Sequence, residues 1–211
     1  VDKTGVFKID KSFLESKLGL NVANINPKKI RIFGADGGKL PEPNNIPRVD
    51  DLKELAIFIA GESDGRFDNN DYVLFYALGA DKWNYDSKSD YYTFDKNIYD
   101  DKNYYFIKID AQDGLRINKI SVPSNPIESE FTYYDMLQRL EEDKVNLLGS
   151  ASGAEGTGKE WYGDELSGSS REKNYTSRFD FSSLVSEIPV SLEMVFAGRS
   201  ENSSTVSLTF E

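Results

Sequence analysis

The sequence contains no cysteine and no histidine. The first absence excludes a disulfide scaffold, a thiolate zinc site and a cysteine nucleophile. The second removes the usual general base, and with it the Ser–His and Cys–His pairs of nucleophilic hydrolases. Basic residues are also in short supply: 25 Lys and Arg face 36 Asp and Glu, for a formal charge of −11. Such a surface repels a phosphate backbone, so no nucleic-acid partner is expected. No apolar run approaches the roughly 20 residues that cross a bilayer, and no basic amphipathic stretch is present. The chemistry left open is that of carboxylates, tyrosine, lysine and oxygen-ligated metals such as calcium.

What is abundant is aromatic. Twelve Tyr and 13 Phe accompany a hydrophobic share of 38%, enough for a core, and aromatic side chains suit a pleated, half-buried surface better than a helix. The expected class is mainly β: an antiparallel barrel-like or sandwich-like N-terminal domain with one or two short helices, followed by the start of a second, jelly-roll-like β-sandwich.

The pattern along the chain supports this. Val6–Ile9 alternates as a strand. Ser12-Phe-Leu-Glu15 has the sequence of a capping box, followed by apolar residues at helical spacing and a stop at Gly19. Ile30–Phe33 reads as a strand, whereas residues 37–47 carry too many Gly and Pro for regular structure. Leu55–Ala60 and Tyr72–Leu78 are apolar enough for central strands, and Tyr91–Phe94, Tyr104–Ile109 and Leu115–Ile120 read as further strands. Beyond Pro123 and Pro126 the texture changes. Residues 135–148 carry a leucine stripe that predicts a helix, residues 149–158 are Gly/Ser-rich, and Val190–Phe196 and Val206–Phe210 alternate as half-buried sandwich strands. The expected division is a β-rich domain over 1–125, a helix plus linker over 126–170, and the beginning of a sandwich over 171–211. The start at Val1 without Met leads us to expect a processed chain, and the end at Glu211 after a strand to expect continuation.

Three constellations bear on chemistry. In Gly61-Glu-Ser-Asp-Gly-Arg-Phe-Asp-Asn-Asn-Asp71, the oxygens of Asp64, Asp68, Asn70 and Asp71 have the make-up of a calcium loop. The position of the first ligand is Ala60, however, and the closing residue is Asp rather than Glu, so an Asp-Gly turn between two strands competes with the metal reading. Gly153–Lys159 has phosphate-loop spacing, but Glu160 stands where Ser or Thr would hold magnesium, which makes a linker the better account. Trp83, Tyr85, Tyr91 and Tyr92 could form an aromatic binding rim, or simply pack. No catalytic residue and no organic cofactor is assigned.

Three stretches carry a resemblance: Gly34-Ala-Asp-Gly-Gly-Lys-Leu-Pro-Glu-Pro-Asn-Asn-Ile-Pro-Arg48, Gly61–Tyr76 running on to Gly79-Ala-Asp-Lys-Trp83, and Gly158-Lys-Glu-Trp-Tyr-Gly-Asp-Glu165. Together they resemble the N-terminal region of PorU-type sortases, the gingipain-related cysteine peptidases of the type IX secretion system in Bacteroidetes. The resemblance implies a parent that removes C-terminal secretion signals from cargo at the cell surface, through a Cys–His pair in a following α/β domain. This chain contains neither residue, so no catalytic position carries over. It implies instead a non-catalytic scaffold, cargo-positioning or gating region of an exported, outer-membrane-associated protein. Its partners would be the downstream peptidase domain and secretion-system components or cargo. Two alternatives stand beside it: a stand-alone surface module binding glycans or protein through the aromatic rim, and an inhibitory pro-segment.

Overall fold

Alternating side chains define two three-stranded antiparallel sheets whose apolar faces meet. In this computed structural model the described residues are 1–22, 24–121, 130–146, 161–168, 170–199 and 202–209. They fall into two units, Val1–Pro123 and Ser124–Glu211. The fold is mainly β, with small antiparallel sheets and no closed barrel among the described residues.

In the first unit, β1 (Gly5–Asp10) leads into α1 (Lys11–Ser16). The helix is capped by Asp10, whose Oδ1 accepts from Phe13 N at 2.9 Å, and not by Ser12 as the capping-box sequence suggested. Asp10 already has extended backbone at the strand end, so it occupies the capping position first. The chain leaves the helix through Gly19, at φ +66°. There follow β2 (Ile30–Gly34), β3 (Lys53–Leu55), β4 (Phe58–Ala60), β5 (Tyr72–Ala77), β6 (Lys82–Asp86), β7 (Tyr91–Asp95) and β8 (Tyr105–Ile109).

One sheet has the order β1-β5-β4, the other β3-β2-β8, and β6-β7 forms a separate ribbon. Phe7 pairs with Phe75 and Ile9 with Val73 on the inner face of the first sheet. Ile32 lies between Leu55 and Ile107 on the inner face of the second. The two faces meet where the Phe75 and Tyr105 rings stand edge to face, 5.5 Å between centroids. Leu14, Val22, Ile57 and Phe67 complete the core. The Tyr105 ring lies across Gly34, its cross-strand partner, where a Cβ would collide with it. Its hydroxyl donates to Leu78 O at 3.0 Å and accepts from Leu78 N at 2.7 Å, and burial pushes its pKa up.

Two expected strands are corrected in this unit. Leu55–Ala60 is not one central strand. It divides at Ile57 into β3, an edge of one sheet, and β4, an edge of the other, because this short stretch serves both layers. Leu115–Ile120 is not a strand either: it makes a single parallel bridge, Arg116 to Ile57. The bridge uses Ile57 N to Leu115 O (3.2 Å) and Ile117 N to Ile57 O (3.0 Å). Lys82–Asp86, not foreseen as a strand, is one.

The second unit differs more from expectation. The helix predicted over 135–148 is absent from its described part, residues 135–146, which carry no regular element beyond a single bridge at Val145. A leucine stripe stabilises a helix mainly through what it packs against, and here Leu137 is exposed while Gln138 is engaged with the Asp180 backbone (2.5 and 2.7 Å). Val145 instead bridges Tyr162. Val190–Phe196 and the described part of Val206–Phe210 form no ladder among the described residues, and Val190, Leu192, Phe196, Val206 and Leu208 are exposed. Alternation makes a strand only where a partner accepts its hydrogen bonds. The Gly/Ser stretch 149–158 and the phosphate-loop sequence at 153–160 lie outside the described residues.

Candidate functional site

Two of the three constellations, the acidic turn and the aromatic residues, lie within the described residues. The acidic turn is built on two left-handed glycines, Gly61 (φ +87°) and Gly65 (φ +79°), flanking a one-turn 3₁₀ helix, Glu62–Asp64. Phe67 anchors it in the core. Its carboxylates turn toward the chain itself. Asp64 Oδ1 accepts from Arg66 N at 3.0 Å, and the buried Asp71 Oδ2 accepts from Asp68 N at 2.7 Å. Asp68 and Asn70 are exposed. Calcium needs several oxygens converging on one point. Among the described residues no group of three or more acidic side chains is spaced to hold a metal ion. Asp64 and Asp71 are engaged by backbone amides of the turn itself, in the manner of a hydrogen-bonded turn.

Arg116, which sequence reasoning passed over, locks this turn to the rest of the unit. Its Nε pairs with Glu62 Oε2 at 2.8 Å, and Nη2 donates to Pro27 O at 3.0 Å. On the outer face of the second sheet, Arg31 joins Glu54 and Asp110, and Lys108 joins Asp110 at 2.7 Å. Lys108, the Ala111 amide and Arg31 bring the Asp110 pKa down to about 2, and Arg31 likewise lowers that of Glu54. All these charges are committed to one another, an arrangement that holds a surface together.

The aromatic ribbon is different. The register pairs Trp83 with Phe94 and Tyr85 with Tyr92, so these four rings share one face. Tyr91 lies on the opposite face with Lys82, Asn84 and Asp86. The expected rim of Trp83, Tyr85, Tyr91 and Tyr92 is thus corrected: three of its members come together, Tyr91 does not, and Phe94 takes its place. The period of two, counted outward from the turn at residues 87–90, is the signal that would have found Phe94. Trp83 and Phe94 meet edge to face (4.9 Å, 66°), and Tyr85 and Tyr92 are tilted (4.7 Å, 37°). Trp83, Tyr85 and Tyr92 are 41, 52 and 41% exposed, although a soluble ribbon would ordinarily bury such a face.

The ribbon is held at both ends. At the turn, Asp86 accepts from Lys88 N (3.0 Å) and Ser89 Oγ (2.8 Å), which lower its pKa, and Asp90 takes a left-handed φ of +51°. Tyr85 Oη donates to Asp90 Oδ1 at 2.8 Å, which raises the tyrosine's pKa. At the base, Lys39 pairs with Asp95 (3.1 Å) and Asp81 accepts from Asn97 N (2.9 Å).

Fold and site together define a β-rich unit that displays a fixed, solvent-facing aromatic ribbon. The chain has no cysteine and so is not itself a cysteine peptidase. No helix among the described residues is long and apolar enough to cross a membrane. No family model, curated protein or solved structure matches the chain.

Proposed function

We propose that this chain is a non-catalytic N-terminal region of an exported type IX secretion sortase, and that it positions protein cargo for a peptidase domain elsewhere in the same polypeptide. The observation that supports a positioning role is the aromatic face of the ribbon: four rings in fixed cross-strand pairs, three of them exposed, on a scaffold whose Arg31, Lys108 and Asp110 charges engage one another. Exposed aromatic anchors on a rigid element are the usual core of protein recognition surfaces. The sortase parentage rests on the three sequence stretches quoted above.

Two measurements test the two parts. Sequencing the parent reading frame tests parentage: a Cys- and His-bearing α/β domain in the same frame is expected, and its absence overturns the sortase assignment. Positioning is tested in that parent with Trp83→Leu and Tyr85→Leu. Cleavage of a full-length cargo should fall while cleavage of a short reporter peptide is retained. Equal loss on both substrates, or loss on neither, removes the positioning role. A glycan-binding module remains the second reading, because exposed Trp and Tyr rings stack on sugars. The 66° angle within the Trp83–Phe94 pair does not give the flat platform that such stacking prefers.

A further inference from the structure

The ribbon's chemistry and spacing point to what it binds. Three aromatic rings on the outer sheet faces are already covered by cations of this chain: Lys8 over Tyr72 (4.6 Å), Arg31 over Phe33 (5.1 Å) and Lys119 over Phe58 (5.8 Å). Among the described residues no Lys or Arg stands over Trp83, Tyr85 or Tyr92. Their rings carry negative π faces in a chain of formal charge −11. Asp86 and Asp95 fall on the opposite face with Tyr91, and the carboxylates bordering the rings are Asp90 at the turn and Asp81 at the base. Each uses part of its acceptor capacity within the ribbon and keeps more, since an ionised carboxylate offers about four acceptor sites.

That charge excludes several occupants. A second copy of the chain would bring another −11, and anionic lipid or nucleic acid would be repelled in the same way. The strand geometry selects among the rest. Trp83 and Tyr85 are two residues apart on β6, so successive ring pairs stand about 7 Å apart along the ribbon. Alternate side chains of an extended peptide have the same spacing. A peptide lying along the ribbon can therefore set one side chain on each ring pair.

We infer that the Trp83/Tyr85/Tyr92/Phe94 face binds an extended segment of a separate polypeptide that presents Lys or Arg at alternate positions, with their cations over the rings and the Asp carboxylates at the margin. This rests on the positioning role proposed above and names the chemistry of its partner. Specificity comes from the π faces and the acidic frame together.

The test uses the full 211-residue chain and a fluorescein-labelled short peptide alternating arginine with serine, read by anisotropy. Controls replace arginine with neutral citrulline or with glutamate, and a linear neutral oligosaccharide serves as unlabelled competitor. The arginine peptide is expected to bind, more weakly as salt rises, with the citrulline peptide about three- to tenfold weaker. Trp83→Leu and Tyr92→Leu keep apolar bulk in the ribbon but remove the ring faces, and each should weaken arginine-peptide binding by about the same factor. Trp83→Phe should recover most of it. Amide exchange across β6 and β7 in each variant separates lost recognition from an unfolded ribbon.

Equal binding of the citrulline and arginine peptides overturns the cationic partner. If that equal binding still depends on Trp83, the protein-docking role survives without it. Wild-type affinity in both leucine variants, with the ribbon intact, places any binding elsewhere and overturns the inference. Displacement by the oligosaccharide but not by excess unlabelled arginine peptide overturns it in favour of sugar. Absence of any peptide binding overturns it too, and the cargo-cleavage assay then decides the positioning role separately.

Discussion

Gly61 and Gly65 sit four residues apart in one turn with nearly the same backbone, φ +87° and +79°, and entirely different neighbours. A Cβ on Gly65 meets nothing, whereas a Cβ on Gly61 would collide with the Asp71 carboxylate. Alanine at either position carries the left-handed penalty of about 1–2 kcal/mol. At Gly61 it must also expel a buried carboxylate that accepts from Asp68 N. Leaving that amide and carboxylate unmatched costs roughly a further 1–3 kcal/mol. Gly61→Ala should therefore destabilise by about 2–5 kcal/mol and Gly65→Ala by about 1–2 kcal/mol, the excess coming from Asp71 alone.

Urea unfolding followed by near-ultraviolet circular dichroism reads both changes, with the midpoint moving and the slope m constant. A cycle with Asp71→Ala isolates the cause. In that background Gly61→Ala should cost only the backbone strain of about 1–2 kcal/mol, the same as at Gly65. Equal losses at the two glycines in the wild-type background, or an undiminished Gly61 loss without Asp71, would refute the reasoning.

Three further outcomes follow from the same structure. Tyr105→Phe removes the acceptor of Leu78 N and one donor to Leu78 O, and should cost about 1–2 kcal/mol by the same urea measurement; no change would mean that water replaces the hydroxyl. The folded-state pKa of Asp110 is held at about 2, below its ordinary 3.8, so its contribution is fully present above pH 4 and is lost as pH falls toward 2. Glu54 acts in the same direction. The urea midpoint should fall on acidification through that window, and less steeply in Asp110→Asn; an unchanged slope in the variant would assign the acid sensitivity elsewhere. Millimolar calcium should produce no binding heat and no shift in the urea midpoint, because Asp64 and Asp71 are turned to backbone amides; a saturable heat lost in Asp71→Ala would restore the metal reading.

Strands whose partners lie inside one well-packed unit were legible from alternation alone: β1, β2, β5, β7 and β8 appear within a residue or two of their expected bounds. The short helix was legible as well, although its cap was assigned to Ser12 where the preceding Asp10 serves. What alternation does not contain is the identity of a partner. Leu55–Ala60 looked like one strand because both of its halves are apolar, yet the halves belong to different sheets. Val190–Phe196 has cleaner alternation than β6 but no ladder among the described residues. The leucines of residues 135–148 have helical spacing, yet Leu137 is exposed and the described residues 135–146 form no helix. The aromatic site was legible as composition and not as a face. Tyr91 and Tyr92 are neighbours in sequence and so point oppositely, and only the register brought Phe94 across from Trp83.

The connectivity of the ribbon also governs the order in which the first unit assembles. β1 must find β5 across more than sixty residues, and β2 must find β8 across more than seventy, before the core exists. Ladders of that separation close slowly, whereas a hairpin such as β6–β7, with four residues in its loop, closes in about 1–10 μs. A lone two-stranded hairpin is marginal in water, so the ribbon opens and recloses until the two sheets meet. During that interval its rings are an early apolar surface of the folding unit. The aromatic face is thus presented to solvent while the interior is still unmade.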